Sequence, residues 1–121
     1  MNKIMIIDDE LNILEVLNKF LSRSGKLEVE TYSNPLIALK KISTKKYDLV
    51  LSDIMMPQLD GLDILKNIKE SDPKIKVILM TAYSTNYTKE KSIKFNADNY
   101  IEKPFKNLKF LEETILETLG K

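Results

Sequence analysis

An alternation repeated five times leaves this chain few ways to fold. The runs KIMII (3–7), LEVETY (27–32), YDLVLSD (47–53), KVILMTA (76–82) and the short NYI (99–101) read as strands. Between and after them, apolar residues recur at helical spacing: Ile13, Leu14, Leu17, Phe20 and Leu21; Ala38, Leu39 and Ile42; Leu62, Leu65 and Ile68; Leu108, Leu111, Ile115 and Leu119. The stretch 85–96 has helical length but only a thin stripe of Tyr87, Ile93 and Phe95, so its helix is expected to be loosely held. Gly25, Asn34-Pro35, Asp60-Gly61 and Asp72-Pro73 punctuate the pattern as stops and starts.

Strands joined through helices pair in parallel, and a parallel sheet needs cover on both faces. The most apolar runs, 3–7, 47–53 and 76–82, belong at the centre, with 27–32 and 99–101 at the edges. That predicts an α/β fold, a doubly wound (βα)5 sheet of strand order 2-1-3-4-5, the flavodoxin-like arrangement. There is no internal repeat or linker, so residues 1–121 are expected to form a single domain.

Composition narrows the chemistry. The chain has no cysteine and no histidine, which removes the usual zinc sites and thiol, Ser-His or Cys-His catalysis. A net charge of +1 gives no bulk attraction to nucleic acid or a membrane surface. Apolar runs fall far short of the roughly 20 residues of a membrane span. Charges at Asp8, Asp9 and Glu10 interrupt any signal-like hydrophobic region after Met1, so a cytoplasmic location is expected.

The chemistry then lies at one rim. Parallel strands bring their carboxyl ends together, which would gather Asp8 and Asp9, Asp53, Thr81 and Lys103. Carboxylates roughly 4 Å apart repel by on the order of 4 kcal/mol per pair at an effective dielectric of about 20. Such a cluster asks for a cation, and oxygen-only ligands suit a hard ion such as Mg²⁺. A carboxylate beside a metal, a lysine and a hydroxyl is suited to receive a phosphoryl group. Taken singly, each residue has an ordinary explanation. Asp8-Asp9 would cap the first helix, Asp53 would be a strand-end carboxylate, and Tyr100 would be strand packing. Asp60 reads as an N-cap, with Asp63 favouring the helix dipole, and carries no chemistry.

The segments IIDDE (6–10), DLVLSDIMMPQLDG (48–61), VILMTAY (77–83) and YIEKPF (100–105), in this order and spacing, resemble a response-regulator receiver domain over essentially the whole chain. The central segments are similar both to stand-alone sporulation phosphorelay receivers and to receivers of enhancer-binding transcription factors. The resemblance implies that Asp53 is the phosphoacceptor and that Asp8, Asp9, Asp53 and the backbone carbonyl of Met55 hold Mg²⁺. It implies that Thr81 and Lys103 bind the phosphoryl group, that Lys103-Pro104 is cis, and that Thr81 and Tyr100 form the switch. The face made by the fourth helix, fifth strand and fifth helix would carry the output. The implied partners are a sensor histidine kinase or histidine phosphotransferase, and a downstream protein target or a fused output domain. No direct nucleic-acid or membrane contact is implied, and the only catalysis is of the domain's own phosphorylation and dephosphorylation.

Two departures from the family pattern stand out. Asn96 replaces a usual glycine, which is expected to alter the exit from the preceding helix. Met55 and Tyr83 place bulky side chains beside the phosphoryl site, where they are expected to hinder an attacking water. Two other aspartate or α/β chemistries fit less well. A haloacid-dehalogenase-like phosphohydrolase needs a second aspartate where Met55 stands. A flavodoxin-like flavin carrier needs a phosphate loop where Asp8-Asp9-Glu10 would repel phosphate.

Overall fold

The computed structural model describes residues 1–121. In chain order the elements are β1 (Asn2–Ile7), α1 (Leu11–Ser22), β2 (Leu27–Tyr32), α2 (Pro35–Thr44), β3 (Leu49–Asp53), α3 (Gly61–Ser71), β4 (Lys76–Thr81), α4 (Asn86–Lys94), β5 (Asn99–Glu102) and α5 (Leu108–Thr118). All strand pairs are parallel and the order is β2-β1-β3-β4-β5, as the alternation predicts.

Period-two alternation explains why the central runs look uniformly apolar. Ile4, Ile6, Leu49, Leu51, Ile78 and Met80 point to one face, where α1 and α5 cover them with Leu14, Leu17, Leu21, Leu111 and Ile115. Met5, Ile7, Val50, Val77 and Leu79 point to the other, against Ala38 and Ile42 of α2 and Leu62, Ile64, Leu65 and Ile68 of α3. Both strand faces are buried, so neither can be polar. Each such side chain contributes roughly 1.5–3 kcal/mol by leaving water. The edge strand β2 fully buries only Leu27.

Helix starts follow local chemistry. Asn34 caps α2 by accepting the Leu36 N–H at 2.9 Å, with Pro35 in the first turn. Asp60 caps α3 by accepting the Asp63 N–H at 2.9 Å, as expected. β3 begins later than the apolar run. Regular strand starts at Leu49, although Asp48 already bonds to both neighbours: its N–H donates to the Lys3 carbonyl at 2.8 Å, its carbonyl accepts the Lys76 N–H at 3.1 Å, and its carboxylate accepts the Lys3 N–H at 2.7 Å. α1 has Glu10 as its N-cap residue without a side-chain cap, so Asp8-Asp9 do not cap it.

α4 departs from the expected packing. Tyr87 and Ile93 are 63% and 76% exposed, and only Phe95 of the predicted stripe packs against the core. The inward face instead carries Thr88 and the buried Ser92, whose hydroxyl donates to the Lys89 carbonyl at 2.7 Å. A face of hydroxyls leaves no hydrophobic periodicity to read. The exit of α4 is not disturbed by Asn96. This residue adopts φ 67°, a left-handed conformation that Asn tolerates. The Asn96 and Ala97 N–H groups donate to Ile93 and Ser92 carbonyls at 3.0 and 2.8 Å, closing a Schellman motif.

Candidate functional site

The carboxyl rim gathers the expected residues. Asp8 follows β1 and is fully buried; Asp9, next to it, is exposed. Asp53 ends β3 at 5% exposure, and Thr81 ends β4 at 1%. Oxygens of Asp8, Asp9 and Asp53 lie within 4.8 Å of one another. The Lys103 N–H donates to the Thr81 carbonyl at 2.7 Å, which fixes the chain leaving β5 beside β4. From there the Lys103 ammonium reaches Asp8 Oδ2 at 2.9 Å and Asp53 Oδ2 at 3.6 Å. The Lys103-Pro104 peptide is cis.

The loop after Asp53 is folded back tightly. The Gly61 N–H donates to the Ile54 carbonyl at 2.8 Å. A Cβ on Gly61 would overlap the Asp53 carbonyl oxygen and come within 2.8 Å of Ile54 Cα. Gly61 is therefore required by close approach, not only by the turn read from the sequence. This holds Met55, 56% exposed, at the rim across from Tyr83, 71% exposed. With Asp9, Pro57 and Tyr87 they line a cleft of about 660 Å³.

Burial pushes the Asp53 carboxyl up to about 6, helped by the charges of Asp8 and Asp9 and opposed by Lys103 and the Met55 amide. Burial pulls Lys103 down, yet its hydrogen bond to Asp8 and the charges of Asp8 and Asp53 outweigh this and leave it raised. The lysine thus stays charged, and the cluster of carboxylates remains short of positive charge. Asp8, Asp9 and Asp53 offer a hard, oxygen-only donor set of the kind Mg²⁺ takes.

The Thr81 hydroxyl accepts the Tyr83 N–H at 3.1 Å, leaving its own proton to donate. Tyr100 is half-buried against the core on the α3 and α4 side. Its hydroxyl lies 2.7 Å from Ser84 Oγ and 2.9 Å from Thr88 Oγ1. Ser84 and Thr88 were not anticipated. The signal available was Thr85-x-x-Thr88 ahead of a helix, a capping-box spacing with threonine in place of the usual glutamate.

Comparison with known proteins agrees with this geometry. The family model described as the response regulator receiver domain matches residues 4–115. The alkaline phosphatase synthesis transcriptional regulatory protein PhoP of Bacillus subtilis is 37% identical over 103 residues, 85% of this chain and 42% of that protein. The transcriptional regulatory protein ZraR of Klebsiella oxytoca is 39% identical over 117 residues, 97% of this chain and 26% of that protein. The chain thus spans less than half the length of these two curated relatives.

Among solved structures, a CheY-like receiver domain protein from Methanospirillum hungatei superposes with a TM-score of 0.93 at 32% identity, covering 99% of this chain and 94% of that one. TrrA of Thermotoga maritima, solved in complex with Mg(2+)-BeF, gives 0.86 at 37% identity, covering 98% and 99%. Neither the phosphohydrolase nor the flavin-carrier alternative is favoured by these matches. No helix is long and apolar enough to cross a membrane. Family match, strand order and rim chemistry converge: this chain belongs to the response-regulator receiver domains, the phospho-accepting signalling switches that bind Mg²⁺ at an acidic pocket.

Proposed function

We propose that the chain is a single receiver domain in which Asp53 takes a phosphoryl group from the phosphohistidine of a sensor kinase or histidine phosphotransferase. The observation that carries this reading is the placement of Asp53. Its carboxylate ends the central strand, 5% exposed, within 4.8 Å of Asp8 and Asp9 oxygens and 3.6 Å from Lys103. Asp8, Asp9, Asp53 and the Met55 backbone carbonyl would hold Mg²⁺, which when bound neutralises phosphoryl charge. The Asp53 oxygen forms the new bond to phosphorus as the phosphorus–nitrogen bond breaks, and the departing imidazole takes up a proton. Lys103, already shared between Asp8 and Asp53, is within reach of a phosphoryl oxygen, and Thr81 has a proton to donate to another. Thr81 and Tyr100 would then change the α4–β5–α5 face presented to a downstream protein or a fused output domain. Outside self-phosphorylation and its reversal the domain turns over no substrate, and its compartment is the cytoplasm.

Incubation with acetyl phosphate and Mg²⁺, followed by intact-mass measurement, tests the assignment. An adduct of about 80 Da, absent from Asp53→Ala, is expected for a phosphoryl group on Asp53. Phosphate ester turnover without any adduct would overturn it.

A further inference from the structure

We propose that Thr88 is a positioning residue of the switch, its hydroxyl joining the Tyr100 hydroxyl to the N-terminal cap of α4 so that neither moves alone. This rests on the reading of Tyr100 as the switch aromatic.

The connection is made at a single oxygen. Thr85 Oγ1 accepts the Thr88 N–H at 3.1 Å, and Thr88 Oγ1 accepts the Thr85 N–H at 3.0 Å, a reciprocal capping box. The Thr88 hydroxyl proton is directed to the Thr85 carbonyl at 3.0 Å. A hydroxyl has one proton and two lone pairs. With that proton engaged, the oxygen receives the Thr85 N–H and meets the Tyr100 hydroxyl at 2.9 Å, with Thr85 Oγ1 a more distant neighbour at 3.3 Å. Ser84, 2.7 Å from that same phenol oxygen, completes the chain from the loop after Thr81 through Tyr100 into α4.

This connection matters more here than on a well-packed helix. α4 buries only Ser92, so little hydrocarbon holds its first turn. Hydrogen bonds at the cap then carry a larger share of its local stability. A Tyr100 ring that turns away from its present position must release Thr88. Conversely, a first turn of α4 that opens withdraws the partner that orients the phenol.

Amide hydrogen exchange of the unphosphorylated protein reads this directly at Lys89, whose N–H donates to the Thr85 carbonyl at 3.0 Å. Tyr100→Phe leaves every capping residue in place, yet exchange at Lys89 is expected to speed by about threefold to tenfold, the effect of one lost hydrogen bond. Thr88→Val is expected to speed it further, and Thr88→Ser to stay within about twofold of wild type. In Thr88→Val the Tyr100 ring resonances should also move toward the positions that beryllofluoride with Mg²⁺ produces in wild type, while Thr88→Ser leaves them in place. Unchanged exchange at Lys89 in Tyr100→Phe would overturn the Thr88 connection. A wild-type Tyr100 ring that ignores beryllofluoride, while amides beside Asp53 respond, would instead overturn the switch reading and the positioning role with it.

Discussion

The ammonium of Lys103 lies closer to Asp8 than to Asp53, 2.9 Å against 3.6 Å. The lysine therefore serves as a resident counter-ion of the acidic cluster, in competition with any metal that Asp8 would bind. Lys103→Met removes that competitor and should tighten Mg²⁺ by about tenfold in calorimetric titration, equivalent to about 1.4 kcal/mol. The same variant should lose roughly a hundredfold in its rate of phosphorylation by acetyl phosphate if Lys103 is the charged donor proposed for the phosphoryl group. Opposite changes in metal affinity and rate distinguish this role from general damage to the fold.

Asp53 should make the fold less stable as pH rises. Its folded carboxyl titrates near 6 against a usual 3.8, so the folded state holds its proton over a window where the unfolded chain has lost it. Its destabilising effect is absent below pH 3.8, grows through the window, and is complete above 6. Asp53→Asn is expected to gain about 2–3 kcal/mol at pH 7.5 without Mg²⁺ and nothing near pH 3.5. Urea unfolding at the two pH values measures it. An equal gain at both would place the effect outside Asp53 ionisation.

Glu30 should show the reverse dependence. The Tyr47 hydroxyl donates to it at 2.6 Å and Lys3 approaches at 3.2 Å; these hold its carboxyl below the usual range despite burial. A depressed acid stabilises the fold above its unfolded value of 4.5, and that stability is lost as pH falls through the folded value. Glu30→Gln should therefore cost about 1 kcal/mol at pH 7 and much less near pH 3, read by the same urea titrations.

Gly61→Ala tests the folded-back loop. The added methyl would meet the Asp53 carbonyl and the Ile54 backbone, neither of which is a flexible side-chain end. A loss of about 2 kcal/mol or more in unfolding free energy is expected. Phosphorylation of the folded fraction should slow as well, because the strain falls on Asp53 itself. Gly25→Ala is a useful comparison. Gly25 has a positive φ of 72°, which Gly61 does not, but a Cβ there meets nothing, so only stability should respond.

Met55 and Tyr83 present exposed bulk in the cleft that Asp9 also lines. If they impede water, phospho-Asp53 should decay several-fold faster in Met55→Ala and Tyr83→Ala, and fastest in the double variant, given that removing each side chain opens the cleft. Decay that barely changes in all three would assign the phosphoryl lifetime to other groups.

The fold was legible because hydrophobic period and punctuation agree over most of the chain. Uniform apolar runs such as VILM become central strands, and Asn34-Pro35 and Asp60-Gly61 start helices where expected. Asp8, Asp53, Thr81 and Lys103 were legible as a rim because strand ends in a parallel sheet share one edge. α4 was misread where its inward face is made of Thr88 and Ser92, whose interactions are hydrogen bonds that no hydropathy pattern records. The hold of Lys103 on Asp8 also depends on distances between side chains 95 residues apart. Asn96 was misjudged for a simpler reason: the left-handed position asks for a conformation, and asparagine can supply it.

The hydroxyl-lined face of α4 has a thermal consequence. Heat capacity changes when apolar surface meets or leaves water, at about 0.45 cal/K/mol for each Å². A helix that turns Thr88 and Ser92 toward its sheet, and already shows Tyr87 and Ile93 to solvent, uncovers little such surface when displaced. Unfolding of the whole domain should therefore be strongly curved in temperature, whereas the free energy of moving α4 should run nearly straight. A signal carried by that helix would respond to warming or cooling through one nearly constant enthalpy, that of the hydrogen bonds it releases.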